Sequence, residues 1–273
     1  MVDALSRERQ VDPSLVKFRD DLYRKYGIYF PDKKFYQLKA KLSKRLRALS
    51  LATIEDYDKY LRENPAEVSD FLDVISTNTT RYYREPKHWK FLEEELIPKW
   101  RRKRKIAAWS AACSSGEEPY TLALLLERAR ESGARFDYKI LATDLSEMVL
   151  RKGLMATYTR QDLEPLYHAR PELVDEYFNS SVGGKLKLAD EVREKVVFRK
   201  FNLKSDNYPY RSKFDLVLIR NVLIYFDNKM TTHVIENLSG ALKRGGHLFT
   251  GHSESINSIE HNLDKIQPSV FKK

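Results

Sequence analysis

The stretch WSAACSSGEEPY, residues 109–120, concentrates residues that could do chemistry. An apolar run enters a loop of small residues and then a helix-forming segment, which is the outline of a ligand-holding strand-to-helix turn. Phosphate is a common occupant of such a turn, and it needs several glycines so that backbone N–H groups can come close. Here there is one, Gly116, and two carboxylates, Glu117 and Glu118, follow it directly. Those acids repel phosphate. The dinucleotide pattern G-x-G-x-x-G is absent, and no Lys-Ser/Thr follows the glycine as a P-loop requires. Acids also favour helix N-termini on electrostatic grounds alone, so neither glutamate by itself specifies a ligand. The next apolar run, YKILATDL, ends in Asp144, an acid placed to accept hydrogen bonds from ribose hydroxyls. A phosphate-free adenosine carrying a sulfonium and an ammonium meets all of these conditions, and S-adenosylmethionine is such a molecule.

The elements that must position these residues follow from the texture of the chain. From Ile106 onward, IAAWSAAC, YKILATDL, VVFRKFNL, FDLVLIR and GGHLFTGH alternate with helical stretches such as EPYTLALLLERARES and KMTTHVIENLSGALKR. This alternation predicts an α/β fold, a doubly wound and mostly parallel sheet with helices on both faces. Ligands of such sheets bind at the carboxyl ends of the strands, near Cys113 to Glu118, Thr143 to Leu145, Asn202 to Leu203 and Arg220 to Tyr225. About 40 residues between Met155 and Val196 break the alternation, too many for a structureless loop. They predict a small inserted subdomain at about 156–196, with one or two helices and short antiparallel strands turned around Gly183-Gly184.

Residues 1–75 are expected to form an all-α domain, and 76–273 a second domain that includes the insertion. The segment KKFYQLKAKLSKRLRALS places Phe35, Leu38, Leu42, Leu46 and Leu49 on one helical face. Seven basic residues and no acid lie between Lys33 and Ile54. Lacking the balancing glutamates of a merely solvated helix, Lys33, Lys41, Lys44, Arg45 and Arg47 read as a docking surface for an acidic partner.

Composition narrows the class. The formal net charge is +10, with one cysteine, Cys113, and six histidines. A lone cysteine leaves no internal disulfide and no cysteine-based zinc site, and the histidines show no ligand spacing, so no metal is expected. No apolar run is long enough for a membrane helix, and the first residues show no secretory pattern, so a cytoplasmic protein is expected.

Five segments in order, TNTTRYYRE, WSAACSSGEEPY, ATDLSE, RNVLIYFD and GHSES, resemble the chemotaxis-receptor methyltransferases of the CheR type. The resemblance runs nearly end to end. It implies a class I methyltransferase fold with a helical N-terminal domain and an inserted antiparallel β-subdomain. The implied activity is methyl transfer from S-adenosylmethionine to glutamate side chains of chemoreceptors, leaving S-adenosylhomocysteine. By position it assigns cofactor contacts to Asn78, Thr80, Arg84, Glu118, Asp144, Asn202, Leu203, Arg220 and Asn221, and a catalytic role to Arg84 and Tyr225. Tyr82-Tyr83 stand where the family has a phenylalanine pair. The implied partners are glutamate-rich receptor helices, steered by the basic helix, and a receptor C-terminal peptide gripped by the β-subdomain. A monomer is implied.

Two other readings compete. A methyltransferase acting on nucleic acid would suit the basic N-terminal part, but RNVLIYF lacks the Asn/Asp-Pro-Pro-aromatic segment that enzymes methylating base amines carry there. A non-enzymatic receptor-binding adaptor would have no reason to keep Arg84, Asp144 and Tyr225 together.

Overall fold

The computed structural model describes residues 12–75 and 80–273. The chain divides into two compact units, Met1–Thr77 and Asn78–Lys273.

In the first unit the helices are Pro13–Tyr26, Phe35–Ala48, Ile54–Glu63 and Glu67–Ile75. Their ends are written in the sequence. Asp12 accepts the Ser14 N–H to cap the first helix, and Gly27, at φ 74°, closes it in the left-handed conformation. Thr53 and Asp56 form a reciprocal capping box at the third. The core centres on Phe71, which meets Phe18 and Tyr57 edge-on at 5.3 and 5.6 Å. On the second helix Leu38 and Leu42 are fully buried, while Phe35, Leu46 and Leu49 are half-buried.

Two of the basic residues expected to dock a partner are instead turned inward. Arg45 grips buried Glu67 with two bonds of 2.8 and 2.5 Å, and the Tyr57 hydroxyl donates to the same carboxylate at 2.7 Å. Lys41 Nζ donates to the Val74 and Ile75 carbonyls at 2.6 and 2.8 Å, capping the last helix. The helical period predicted the apolar face correctly but could not show that a neighbouring helix end would claim the cations on its flank. Lys33, Lys44 and Arg47 are exposed.

The second unit is built on ten strands: β1 Lys105–Ser110, β2 Asp137–Asp144, β3 Thr157–Tyr158, β4 Phe178–Ser180, β5 Leu186–Leu188, β6 Val196–Lys200, β7 Phe214–Ile219, β8 Leu242–Thr250, β9 Asp264–Gln267 and β10 Val270–Lys272. Seven form one sheet in the order β6-β2-β1-β7-β8-β10-β9. The first five are parallel, and β10 and β9 add two antiparallel strands that the apolar pattern did not announce. All six residues of β7 are buried, as a central strand covered on both faces requires. The chain winds from β1 through β2 to β6 in one direction and from β7 to β8 in the other. The switch point therefore lies between β1 and β7. The helix Glu117–Glu131 packs in the core on one face and Asn228–Ala241 in the core on the other.

The insertion forms its own antiparallel sheet, β3-β5-β4, with helices Arg160–Ala169 and Pro171–Tyr177. Gly183 and Gly184, both at φ 70°, lie between β4 and β5. No helix among the described residues is long and apolar enough to cross a membrane.

Two outcomes follow from these interiors. Arg45→Met strands the Glu67 carboxylate, and the helical unit should lose about 3 kcal/mol or more in a urea titration of the full chain. Burial first, then the Lys272, Lys99 and Lys103 charges, hold His247 on β8 at a pKa of about 4. The folded ring stays neutral where the unfolded one takes a proton, so this contribution is complete above roughly pH 6.5 and declines as pH falls toward 4. The urea midpoint of His247→Leu should depend less on pH between 7 and 5 than that of the parent.

Candidate active site

Several chain segments meet at the carboxyl end of the sheet. Beyond β1 the loop is hooked to both neighbouring strands, by Ala111 N–H to Leu218 O at 2.8 Å and Cys113 N–H to Thr143 O at 2.9 Å. Gly116 then turns at φ 98°. A Cβ there would stand 3.0 Å from the Tyr120 ring and 3.1 Å from the Tyr158 hydroxyl, so glycine is the residue that fits. Tyr158, on the inserted sheet, donates to the Ser115 carbonyl at 2.9 Å and fixes the turn from outside the main sheet.

Asp144 ties this turn to the end of β2, accepting from Ser114 N–H at 2.9 Å and Ser146 N–H at 3.0 Å. The Ser114 hydroxyl beside it is buried with no hydrogen-bond partner among the described residues. A carboxylate fixed by two backbone donors, next to a hydroxyl in need of a partner, suits a ligand bearing vicinal hydroxyls. Asn202 and Leu203 follow directly, since Phe201 N–H binds the Asp144 carbonyl at 3.0 Å. Cys113 is buried, and burial, then Asp144 and Glu118, raise its thiol well above the usual range, so it offers no thiolate.

Arg220, at the end of β7, is the buried centre. Its side chain is 1% exposed, and its guanidinium lies over the Trp89 ring at 5.2 Å. Nη1 donates to Glu118 Oε2 at 2.9 Å, Nε and Nη2 to Glu85 Oε2 at 3.2 and 3.1 Å, and Nη2 to the Arg84 carbonyl at 2.6 Å. The other Glu118 oxygen accepts from Ser110 Oγ at 2.7 Å. Burial pushes the Glu118 carboxyl up, and Arg220 and Ser110 oppose it. For Glu85 burial pushes up too, but Arg220 and the His252 N–H prevail and leave it below the ordinary range.

Arg84 is half-buried between Tyr83 and Glu85, at φ 56° and 59°. Its carbonyl also accepts from Trp89 Nε1 at 2.9 Å, so Arg220 and Trp89 together fix the backbone that carries its guanidinium. Tyr82 is fully buried, its ring edge-on to Tyr158 at 5.1 Å. Thr80 is half-buried at the start of this segment; Asn78, assigned to the same segment, lies outside the described residues.

Tyr225 ends a single helical turn, Leu223–Tyr225, that follows Asn221 at φ 60°. One carboxylate holds this turn. Glu254, 5% exposed, accepts from Asn221 N–H and Gly251 N–H at 2.7 Å each and from Ile224 N–H at 3.2 Å. Burial raises its carboxyl, and those backbone donors oppose the rise.

The structure thus brings Arg84, Glu118, Asp144, Asn202, Leu203, Arg220, Asn221 and Tyr225 to one end of the sheet. Glu85, Trp89 and Glu254 were not picked out from the sequence. The available signal was the cost of a buried arginine and of a left-handed asparagine, each of which demands partners. A Glu85–His88–His252 cluster also forms, with one ligating atom of each within 4.8 Å of the others, which histidine spacing along the chain did not reveal.

Comparison with known proteins agrees with this geometry. Residues 78–271 match the family model "CheR methyltransferase, SAM binding domain", and 13–76 match "CheR methyltransferase, all-alpha domain". The chain is 34% identical over 261 residues to the chemotaxis protein methyltransferase of Borreliella burgdorferi, covering 92% of this chain and 91% of that protein. It is 33% identical over 258 residues to chemotaxis protein methyltransferase 2 of Pseudomonas aeruginosa, with 93% and 90% covered. The chemotaxis protein methyltransferase of Salmonella typhimurium is 33% identical over 258 residues, with 92% and 86% covered.

The three bonds to Glu254 predict its role. Glu254→Gln replaces one acceptor oxygen by an N–H₂ aimed at backbone donors and displaces the Tyr225 turn. Methyl-transfer turnover should fall on the order of 10²-fold, the scale of a misplaced reacting geometry. Calorimetric affinity for S-adenosylhomocysteine should stay within a few-fold.

Proposed function

The chain belongs to the CheR methyltransferase family, and on that premise we propose that it is a protein-glutamate O-methyltransferase acting on chemoreceptors. The observation that carries this reading is the turn 111–118 with Asp144: an acid-lined, glycine-poor cradle at the switch point, with an unsatisfied serine hydroxyl beside a ribose-type carboxylate. Asp144, Ser114, Asn202 and Leu203 would hold the nucleoside part, and Arg84, Glu118, Arg220 and Asn221 the amino-acid part. S-adenosylmethionine supplies a methyl carbon on a sulfonium, and a carboxylate that accepts it neutralises one charge pair.

The chain's own residues are suited to what remains. A glutamate side chain has an unperturbed pKa of about 4.3 and is ionised at neutral pH, so no general base is required. Cys113 is a buried thiol and offers no nucleophile. The task is positioning and exclusion of water. Arg84 is placed to anchor a carboxylate, its backbone fixed by Arg220 and Trp89. Tyr225, on the turn that Glu254 holds, would orient the methyl end of the site.

Lys33, Lys44 and Arg47 are exposed and suited to steer glutamate-rich receptor helices. Lys41 and Arg45 are occupied and take no part in this surface. β3 and β4 are the outer strands of the inserted sheet, and a cavity of about 640 Å³ beside it is lined by Arg160, Leu163, Tyr167, Val174, Phe178 and Leu186. These features support capture of a receptor C-terminal peptide by strand addition.

The test begins with calorimetric titration by S-adenosylhomocysteine. The parent should bind, and Asp144→Ala should lose most of that affinity. Transfer of labelled methyl to receptor fragments should be base-labile, as glutamate esters are, and Tyr225→Phe should lose most turnover while binding the nucleoside within a few-fold. Charge reversal at Lys44 and Arg47 should raise KM for the receptor fragment, more at low salt, without moving cofactor affinity. Binding without any transfer to a glutamate side chain would sink the proposed reaction.

A further inference from the structure

We propose that Glu85, His88 and His252 form a binding site for a divalent transition cation of the zinc class, beside Arg220 and Asn221. One ligating atom from each residue lies within 4.8 Å of the others. Three protein ligands around such an ion stand roughly 3.3 Å apart when metal–ligand bonds are near 2.05 Å, so the cluster needs only a modest contraction. His252 is exposed, in a stretch without helix or strand, and its ring can swing inward.

The independent observation is His88. It is 1% exposed, yet neither ring nitrogen has a hydrogen-bond partner of normal geometry among the described residues. Nδ1 stands 3.4 Å from Glu85 Oε2, too far for a strong hydrogen bond and close enough to share a cation. The ring is held in place, stacked on Phe249 at 5.1 Å, and the His252 ring meets it edge-on at 4.8 Å. An imidazole fixed by packing but left without a hydrogen bond of normal geometry is an exception among buried polar groups, and a metal ion would satisfy one of its two nitrogens.

Glu85 precedes the helix Pro86–Phe91 in the left-handed conformation, and His88 lies in that helix, three residues on. Two imidazoles and one carboxylate are the donor set of zinc sites that keep an open fourth position. The supporting shell is present too. Arg220 binds Glu85 Oε2, while Oε1 has weaker partners, Asn221 Nδ2 at 3.4 Å and His252 N–H at 3.2 Å. The positive charge of Arg220 is also countered by Glu118, so a dication at Glu85 would not face an uncompensated guanidinium. Bound there, the ion would join the segment carrying Arg84 to the loop carrying Glu254.

The experiment uses the full chain, stripped with a chelator and titrated with Zn²⁺ alone in competition with a chromophoric chelator. The parent should take up one equivalent with a Kd on the order of micromolar or tighter, and thermal scans should show Tm rising with zinc. His252→Ala, an exposed position, should weaken this binding at least tenfold and abolish the zinc-dependent rise in Tm. His88→Phe, which keeps ring volume, should do the same. Co²⁺ in place of zinc should show visible absorption in the parent that is lost in both variants. No saturable equivalent in the parent overturns the proposal, as does equal affinity in the parent and both variants.

Discussion

A buried guanidinium is the constraint on which the second unit is organised. Arg220 sits at the end of a strand whose every residue is buried, so its charge has no recourse to water. An unpaired cation there would cost several kcal/mol, and the protein compensates with two carboxylates, a carbonyl and an aromatic face. The partners come from three places: Glu118 from the helix after β1, Glu85 and the Arg84 carbonyl from the segment before the sheet, and Trp89 from the short helix after that segment. Satisfying one side chain therefore brings the site's walls together. The pairing specifies an arrangement more than it adds net stability, because ion pairs of this kind roughly repay their own desolvation.

The same economy explains the backbone. Tyr83, Glu85, Ser114 and Asn221 all have φ between 46° and 60°, where side chains are strained. None is glycine, so the strain is held rather than avoided. Tyr83 N–H is tied to Thr121, Ser114 N–H to Asp144 and Asn221 N–H to Glu254, while the Glu85 carboxylate is anchored by Arg220. Three carboxylates thus work as backbone clamps, and only Asp144 of the three was singled out from the sequence.

What was legible in the sequence follows a physical division. Period-2 and period-3.6 patterns report burial, so all five central strands, the two flanking helices and the apolar face of Phe35–Ala48 could be read. The antiparallel strands β9 and β10 could not, because DKIQ and VFK are too short and, in β9, too exposed to carry a period. Asp144 was visible because it ends an apolar run. Glu85 and Glu254 were not, because a carboxylate that clamps backbone looks like any surface acid until its distant partner is known. Lys41 and Arg45 show the reverse error: a basic cluster seemed a docking face, yet Val74, Ile75 and Glu67, more than 20 residues away, had claimed both.

The charge pattern of the site bears on the proposed reaction in one more way. Glu85, Glu117, Glu118, Asp144 and Glu254 all belong to the carboxyl end of the sheet, and the cation Arg220 is enclosed by two of them. Such surroundings attract a sulfonium and repel a second carboxylate. A glutamate substrate therefore cannot be drawn in by the cradle that holds its methyl donor, and its approach depends on cations held elsewhere. In the proposed reaction Arg84 would serve at the site, and Lys33, Lys44 and Arg47 are among the exposed cations of the helical unit. In the proposed reaction, an acid-lined cradle for the donor and separate cations for the acceptor would let one protein bind two reactants of opposite charge without either site competing for the wrong one.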